Sequence, residues 1–210
     1  MGSVALVSSF GAESVVLLHM ISKIDPALPV LFIDTQMLFA ETIEYQTDVA
    51  RDLGLSQITR ITPDAASVAL DDPDGRLHKT APDACCALRK TAPLQQALAP
   101  FDTWITGRKR FQSATRAQLD YFEADGPRLK LNPLAHWSAT QLASYMDRYA
   151  LPRHPLVAKG YASLGCAPCT RPTAPHENAR AGRWSDQDKV ECGIHFTKGQ
   201  VQRPDTQRNM

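Results

Sequence analysis

Short apolar segments alternate with amphipathic segments along the first sixty residues, and this alternation limits the possible folds. Apolar runs occupy residues 4–7 and 30–33, and residues 58–61 are predicted to form a third strand. Between them, residues 12–24 repeat apolar side chains at the spacing of one helical face, and residues 41–53 are predicted to form a second helix. Short apolar strands are typical of a parallel sheet that is covered on both faces. The order of elements therefore predicts an α/β fold with an open, mostly parallel sheet and helices on both faces.

The rest of the chain is predicted to contain fewer regular elements. They are a loop over 71–83, a helix over 84–98 kinked at Pro93, a strand over 103–107, a short strand over 129–131, and a helix over 138–149 with Ser138 as its N-cap. From Pro152 onward, frequent Pro, Gly and polar residues predict an irregular C-terminal segment. We expect one domain over residues 1–210, with residues 197–210 as a mobile tail.

Charge and hydropathy argue against several classes of protein. The formal net charge is +1, so no global field attracts nucleic acid. No run approaches the roughly 20 apolar residues of a membrane span, and no basic region precedes the first apolar stretch as in a secretory signal. An odd cysteine count with one adjacent pair fits a reducing compartment. We therefore expect a cytoplasmic protein that binds neither nucleic acid nor membrane.

The five cysteines fall into two close pairs and one single residue. The pairs are Cys85-Cys86 and Cys166-x-x-Cys169. Four thiolates can hold either zinc or a [4Fe-4S] cluster. Neighbouring side chains on a helix point about 100° apart, so Cys85 and Cys86 suit the separate iron atoms of a cluster better than one small ion. The spacing favours a [4Fe-4S] cluster and leaves zinc, or a set of inert buried cysteines, as alternatives.

Cys192 lies outside both pairs, within the sequence Glu191-Cys192-Gly193-Ile194-His195. Cationic residues precede it at Arg180, Arg183 and Lys189, and they favour the thiolate form. A single thiolate predicts a covalent nucleophile that an external reductant regenerates. The alternative is a surface cysteine without a role, with His195 simply exposed.

The junction between the first strand and the first helix has the small residues of an anion-binding loop. Ser9, Gly11 and Ser14 lie in it, and a helix N-terminus with exposed N–H groups attracts anions. It is not a Walker A loop, because no Gly-Lys-Ser/Thr follows. Asp34 and Thr35 end the second strand, and ligands of parallel sheets bind beyond that edge. Helix capping is the alternative explanation of the junction.

A basic loop follows the predicted strand at 103–107 and should reach the same edge of the sheet. It runs from Arg108 to Arg116 and includes Gln112-Ser113. Guanidinium groups suit phosphate and sulfate oxygens. We therefore predict that Arg108 and Arg116 bind an anionic substrate, with a solvated basic loop as the alternative.

Taken together, these motifs resemble the assimilatory adenylyl-sulfate reductases, the iron–sulfur type within the adenylyl- and phosphoadenylyl-sulfate reductase family of the PP-loop group. The resemblance spans Val4 to His195. Its pieces are Ser9-Phe10-Gly11-Ala12-Glu13-Ser14, Ile33-Asp34-Thr35 with Leu38-Phe39 and Glu41-Thr42, Cys85-Cys86 with Arg89-Lys90, Thr106-Gly107-Arg108 with Gln112-Ser113 and Arg116, Cys166-Ala167-Pro168-Cys169-Thr170-Arg171, Arg180-Ala181-Gly182-Arg183-Trp184, and Glu191-Cys192-Gly193-Ile194-His195. Relatives that use the 3′-phosphorylated substrate generally lack the paired cysteines. Gln36-Met37 departs from the commoner Gly-aromatic pair, which leaves room for altered nucleotide contacts or for a homo-oligomer.

The resemblance implies a PP-loop fold, like that of the adenine nucleotide α-hydrolases, and a site for adenosine 5′-phosphosulfate. Ser9, Gly11 and Ser14 would line the nucleotide site, with Asp34 and Thr35 near the adenosine. Lys90, Arg171, Arg180 and Arg183 match positions that hold the phosphosulfate or lie between substrate and cluster. The cluster ligands would be Cys85, Cys86, Cys166 and Cys169.

By the same resemblance, Cys192 would attack sulfur, and AMP would leave. Thioredoxin, or a glutaredoxin-like thiol donor, would then release sulfite. The rivals are a reductase of the 3′-phosphorylated substrate, a PP-loop enzyme of tRNA thiolation with an iron–sulfur cluster, and a non-catalytic nucleotide-binding module stabilised by zinc.

Overall fold

A twisted sheet of six strands organises the part of the chain that the structure describes. The structure is a computed structural model, and it describes residues 2–187, 189 and 191. The strands are β1 (Val4–Ser8), β2 (Val30–Ile33), β3 (Ile58–Ile61), β4 (Thr103–Ile105), β5 (Phe122–Asp125) and β6 (Arg128–Leu131). Their order is β3-β2-β1-β4-β6-β5, and all neighbours pair in parallel except β5 with β6. The open, mostly parallel sheet predicted from the sequence is confirmed.

Seven α-helices lie within the described residues. They are α1 (Ser14–Ile24), α2 (Ala40–Asp52), α3 (Ala65–Asp71), α4 (Leu77–Thr80), α5 (Pro82–Cys86), α6 (Ala92–Ala97) and α7 (Ala139–Arg148). A π-helical turn, Ala87–Thr91, joins α5 to α6, so these three pieces form one continuous helical stretch. Ser138 caps α7, as predicted, by accepting a hydrogen bond from the Gln141 N–H.

Apolar side chains pack on both faces of the sheet, because successive strand residues point to opposite sides. Along β1, Leu6 belongs to the core beneath α1, α2 and α7, whereas Ala5 and Val7 belong to the core beneath α6. Leu94 and Leu98 fill the second core against Trp104, and all three are at most 1% exposed. Helices on both faces therefore follow from strands that are apolar on both sides.

The strand order reverses between β1 and β4, and this position determines where a ligand can bind. From β1 the chain continues to β2 on one side, and from β4 it continues towards β6 on the other side. The loops after β1 and β4 therefore diverge at the carboxyl edge and leave a crevice between them. This crevice is the usual ligand position in open α/β sheets.

The prediction of a loop over 71–83 is wrong. In the structure α3 ends at Asp71, α4 lies within this range, and α5 begins at Pro82. Asp72 is buried and accepts hydrogen bonds from the Arg89 Nε and Nη2 atoms at 3.0 and 2.8 Å, and from the Leu77 N–H at 2.8 Å. This ion pair connects distant parts of the chain, so the local Pro, Gly and Asp pattern could not indicate it.

The predicted kink at Pro93 takes the form of a π-helical turn that precedes the proline. Proline lacks an N–H and crowds the carbonyl group one turn earlier. The helix widens over Ala87–Thr91 and then continues as α6.

The chain beyond α7 is irregular, as predicted, in its described part. It contains the short 3-10 turns Pro155–Lys159 and Ala167–Cys169. Antiparallel bridges from Leu38 to Cys166 and from Thr170 to Arg183 attach it to the end of β2 and to itself. The predicted mobile tail, residues 197–210, lies outside the described residues. The assignment of one domain over residues 1–210 stays a prediction.

Candidate active site

A cleft of about 350 Å³ lies at the crevice between the loops after β1 and β4. The cleft is lined by all the predicted substrate-binding residues except Asp34 and Arg171: Ser9, Gly11, Ser14, Thr35, Lys90, Arg108, Arg116, Arg180 and Arg183. They come from five separate parts of the sequence, and the sheet edge and the irregular segment bring them together. The site prediction made from separate motifs therefore corresponds to one cavity for most of its residues.

The loop after β1 turns sharply to place the N-terminus of α1 at the cleft. Phe10 is fully buried and has a φ of 47°, a left-handed conformation that is rare for a bulky residue. Its N–H donates to the Ser8 Oγ at 3.1 Å, which stabilises the turn. Helix α1 has no side-chain cap and no acidic residue in its first turn. Its N-terminal N–H groups therefore favour an anion.

Two cleft residues that the sequence prediction missed form a buried ion pair. The Lys109 Nζ lies 2.7 Å from the Glu13 Oε2, and the Gln112 Nε2 donates to the same oxygen at 3.0 Å. The Lys109 side chain is 4% exposed. Burial lowers the pKa of Lys109, and the Glu13 carboxylate acts in the opposite direction. Both residues lie inside the motifs quoted above, so the sequence indicated the two segments. It did not indicate the ion pair, because the pair joins the loop after β1 to the loop after β4.

Arg108 and Arg116 line the cleft but also hold carboxylates of the protein. Arg108 is buried and pairs with Glu123, and its Nη2 also donates to the Asn132 Oδ1 at 3.1 Å. The Arg116 Nε and Nη2 each donate to a different oxygen of Glu191 at 2.7 Å. The basic loop after β4 is therefore a structured wall of the cleft rather than a solvated loop.

The structure places Asp34 and Arg171 outside the lining of the cleft. Asp34 is 2% exposed, pairs with Arg60, and accepts from the Gln36 N–H at 2.8 Å. The Arg171 guanidinium forms two hydrogen bonds with the Glu177 carboxylate, at 2.9 and 3.0 Å. Roles in substrate binding for these two residues stay predictions.

The four paired cysteines line a second cavity, next to the cleft. Cys85 and Cys86 come from α5, and Cys166 and Cys169 come from the 3-10 turn of the irregular segment. The turn is docked by the Ala167 N–H, which donates to the Met37 carbonyl at 2.7 Å, and by a 3.1 Å contact between the Cys166 Sγ and the Thr35 Oγ1. The structure therefore brings together both pairs, which lie about 80 residues apart, as a four-thiolate site requires.

The thiols of this second cavity influence one another electrostatically. Burial, and then the neighbouring Cys86 and Cys166, raise the pKa of Cys85 to about 12. Burial, and then Cys166 and Cys86, also raise the pKa of Cys169, while Arg183 and Lys90 act in the opposite direction. Four thiolates at this spacing need a positive centre between them, so the donor set fits a metal centre. Among the described residues, no three His, Cys, Asp or Glu side chains are arranged to hold a single ion. The cavity lining favours a four-thiolate site, whereas the side-chain geometry forms no site for a single ion. The assignment of the four ligands stays a prediction.

Three residues line both cavities and form the boundary between them: Thr35, Lys90 and Arg183. The Arg183 guanidinium lies 4.4 Å from the Trp184 ring centroid, and its Nη1 donates to the Leu164 carbonyl at 2.7 Å. Gly165 permits this position, because a Cβ there would overlap the guanidinium. The Arg183 Nε is buried without a hydrogen-bond partner. Two cationic side chains therefore separate the thiols from the cleft.

The predicted nucleophile Cys192 and the nearby His195 lie outside the described residues. Glu191, the residue before Cys192, is described and is 6% exposed. Its ion pair with Arg116 attaches Glu191 itself to a residue that lines the cleft.

The family model described as the phosphoadenosine phosphosulfate reductase domain matches residues 3–172. The chain belongs to this family. A relative named adenosine 5′-phosphosulfate reductase, from Mesorhizobium japonicum, is 52% identical over 96% of this chain and 80% of its own length. A relative from Gloeobacter violaceus, named phosphoadenosine 5′-phosphosulfate reductase, is 40% identical over 90% of this chain and 81% of its own length.

A solved structure of a family member also matches this fold. It is a phosphoadenylyl-sulfate reductase from Candida auris in complex with phosphate, with a TM-score of 0.68 and 26% identity, and it covers 81% of this chain and 84% of its own. The resemblance stated from the sequence and the fold class are therefore confirmed. In the part of the chain that the structure describes, no helix has both the length and the apolar character needed to cross a bilayer.

Proposed function

We propose that this chain is an adenylyl-sulfate reductase, which reduces adenosine 5′-phosphosulfate to sulfite and AMP in sulfate assimilation. The observation that carries the proposal is the shared wall of Thr35, Lys90 and Arg183 between the nucleotide cleft and the four-cysteine cavity. The relative named adenosine 5′-phosphosulfate reductase, at 52% identity, supports the same substrate. We place the enzyme in the cytoplasm, because an odd number of cysteines with one adjacent pair fits a reducing compartment.

The cleft provides complementary groups for both ends of the substrate. The phosphate end lies against the loop after β1, where Ser9, Gly11 and the N-terminus of α1 offer hydrogen-bond donors. The sulfate end faces Lys90 and Arg183 at the boundary with the cysteines. Cations held there without reorganisation stabilise the charge that develops as sulfur is transferred.

Cys192 is the nucleophile of the proposed reaction. Its thiolate attacks the substrate sulfur, a bond forms between that sulfur and the Cys192 Sγ, and the sulfur–oxygen bond to AMP breaks. AMP leaves with the electron pair, and the enzyme carries a Cys192 S-sulfonate. A thiolate of thioredoxin then attacks the Sγ of Cys192, and sulfite leaves with the electron pair of the sulfur–sulfur bond. The second thioredoxin thiol resolves the mixed disulfide, so the two electrons gained by sulfur come from thioredoxin. A glutaredoxin-like donor could act in the same way.

We propose further that Cys85, Cys86, Cys166 and Cys169 hold a [4Fe-4S] cluster. The fit rests on four thiols that line one cavity from two separate segments, one of them an adjacent pair on a helix. When bound, such a cluster supplies fixed charge beside the sulfate end of the substrate and needs no change in oxidation state. Lys90 and Arg183 lie between this cavity and the substrate and hold their charge towards the sulfate.

A reductase of 3′-phosphoadenosine 5′-phosphosulfate is the nearest rival, because the Gloeobacter violaceus relative carries that name at 40% identity. An enzyme of tRNA thiolation would consume ATP and bind RNA, which a net charge of +1 does not favour. A zinc-stabilised nucleotide-binding module would contain zinc instead of iron and sulfide, and would form no sulfite.

The test follows the sulfur atom. Protein purified anaerobically is mixed with adenosine 5′-phosphosulfate without thioredoxin, and the peptides are analysed by mass spectrometry. We expect the Cys192 peptide to gain the mass of one SO3 group and thioredoxin to remove it with release of sulfite. The variant Cys192→Ser should bind the nucleotide and form no sulfite. Unmodified Cys192 together with normal turnover by Cys192→Ser would exclude this mechanism.

A further inference from the structure

The Glu191 carboxylate, at the edge of the cleft, is surrounded by side chains that donate hydrogen bonds to it. Its two oxygens each accept a hydrogen bond from Arg116 at 2.7 Å, and the Ser113 Oγ donates to Oε1 at 3.0 Å. The Arg180 Nη2 lies 3.5 Å from Oε2. The side chains of Arg116 and Glu191 are 8% and 5% exposed. Both oxygens of the carboxylate are therefore satisfied by side chains of this chain.

Burial and charge act in opposite directions on this carboxylate. Burial raises the pKa of Glu191, but the hydrogen bonds and charge of Arg116, the charge of Arg180 and the Ser113 hydrogen bond outweigh it, so the pKa is lowered. Glu191 is therefore ionised at neutral pH. A buried ion pair of this geometry persists because removing either partner leaves an uncompensated charge.

Two of the partners of Glu191, Arg116 and Arg180, line the cleft. Ser113 and Arg116 come from the basic loop after β4, and Arg180 comes from the irregular segment. Arg171 and Glu177 form a second two-pronged pair in the same irregular segment, but their side chains are 43% and 27% exposed and neither lines the cleft. Burial and position at the substrate site distinguish the Glu191 pair from an ordinary surface ion pair.

We propose that Glu191 is a positioning residue: its ion pair with Arg116 fixes the position of residue 191, and because Cys192 is the next residue in the sequence, this contact assists attack of its thiolate on the substrate sulfur. This inference rests on the proposed function, because it takes Cys192 as the residue that receives the sulfo group. It also gives Arg116 a partner within the protein, and the substrate-binding role of Arg116 stays a prediction.

The ion pair of Glu191 with Arg116 is expected to assist formation of the Cys192 S-sulfonate and not its release by thioredoxin. Attack on the substrate sulfur requires the thiolate to be held in line with the bond that breaks, and a misplacement of about 1 Å can cost roughly 100-fold in rate. Attack by thioredoxin on the S-sulfonate requires access to Cys192 from outside. Weakening the pair should therefore slow formation of the S-sulfonate without slowing its release as sulfite.

The primary test is Glu191→Gln, which keeps the shape of the side chain and removes its charge. In single-turnover experiments without thioredoxin, we expect formation of the Cys192 S-sulfonate to slow roughly 100-fold. Discharge of a preformed S-sulfonate by thioredoxin should be as fast as in the wild type or faster. The dissociation constant for adenosine 5′-phosphosulfate, measured in a Cys192→Ser background, should change less than about threefold. Asp147→Asn is the control, because it removes the charge of an exposed ion pair with Arg153 on α7, and it should leave all three quantities unchanged.

A double-mutant cycle tests whether Glu191 acts through Arg116. Arg116→Lys keeps a positive charge at the cleft but loses the two-pronged geometry. The double variant with Glu191→Gln should be no slower than the slower single variant, because both changes remove the same contact. If Arg116→Lys does not fold, Ser113→Ala takes its place in the cycle, because Ser113 donates to the same carboxylate.

Three results would overturn the inference. They are a wild-type rate of S-sulfonate formation in Glu191→Gln, a loss of nucleotide affinity as large as the loss of rate, or losses that multiply in the double variant. Failure of the proposed function is distinguishable, since the wild-type protein itself would then form no S-sulfonate.

Discussion

The parallel sheet and the irregular segment over residues 151–187 form the same cleft but are stabilised by different interactions. Strands β1, β2 and β4 pack through buried apolar side chains on the faces of the sheet. The irregular segment buries a few apolar side chains, such as Leu151 and Leu156. It is also attached by hydrogen bonds and bridges, such as the bond from Ala167 to Met37, and by the cation–π contact of Arg183 with Trp184. We therefore expect changes in the apolar core to act mainly on stability, and changes in the irregular segment to act mainly on the site. Four changes test this difference.

The largest effect is expected when a cysteine of the irregular segment is changed. Cys169→Ser should lose the bound iron and sulfide and reduce sulfite formation to background, because a cluster site with three thiolates is incomplete. The far-UV circular dichroism of the sheet and its helices should stay close to that of the wild type. Iron and sulfide analysis of anaerobically purified protein measures the first effect, and Cys192→Ser, which should keep its iron, is the control. A colourless wild-type protein that holds one zinc ion and is fully active would contradict the cluster assignment.

The next effect concerns the apolar core beneath α6. Leu98→Ala should lower the free energy of unfolding by about 2–5 kcal/mol, because it leaves a cavity in a fully buried layer. At temperatures where the variant is folded, kcat/KM should stay near the wild-type value. Denaturant titration followed by circular dichroism measures the stability. Leu70→Ala is the control, because Leu70 is 80% exposed, and it should change stability by less than about 0.5 kcal/mol. A large loss of kcat/KM in Leu98→Ala without loss of stability would contradict the separation of the two regions.

Arg183 should show the opposite pattern from Leu98. Arg183→Lys keeps the charge but loses the planar group that stacks on Trp184 and donates to Leu164, so kcat/KM should fall roughly 100-fold with little change in stability. Arg148→Lys is a matched control, since the Arg148 guanidinium lies 5.6 Å from the Tyr149 ring centroid, away from the cleft. Equal activity of the two variants would remove Arg183 from the site.

The smallest effect is expected at the junction of the two regions, where His154 packs against α2. Its Nδ1 accepts a hydrogen bond from the Leu156 N–H at 3.2 Å, and its Nε2 lies 3.0 Å from the Thr42 Oγ1, an arrangement that requires the neutral ring. Burial lowers the pKa of His154 to about 4. Below about pH 6.5 this histidine is protonated in the unfolded chain but stays neutral in the folded chain. The free energy of unfolding therefore falls as the pH drops towards 4.

Between pH 7.5 and pH 5.5 this histidine should cost about 1 kcal/mol of unfolding free energy. Denaturant titrations of the wild type and of His154→Gln at both pH values measure the difference. The wild type should lose more stability than the variant over this range. An equal pH dependence of the two proteins would show that His154 titrates normally.

The sequence predicted the sheet well because its strands are short, apolar and locally bounded. It missed β5, although Asp125-Gly126 is a hairpin signal, because β5 is an edge strand and its Phe122 is 66% exposed. The four cysteines could be grouped from their spacing, and most of the predicted residues that line the cleft could be found from the motifs between strands and helices. The pairs that organise the site were not predictable, since Glu13 with Lys109 and Arg116 with Glu191 join residues 96 and 75 positions apart. Local patterns indicate which residues carry charge, but only the packed fold determines which charges meet.

The central claim is the choice of nucleotide, and one measurement tests it most directly. Sulfite formation is followed with reduced thioredoxin at varied concentrations of adenosine 5′-phosphosulfate and, in parallel, of its 3′-phosphorylated form. The paired cysteines beside the cleft predict that kcat/KM is far higher for adenosine 5′-phosphosulfate. A higher kcat/KM for the 3′-phosphorylated form would contradict the proposed function and assign the chain to the other reductase of its family.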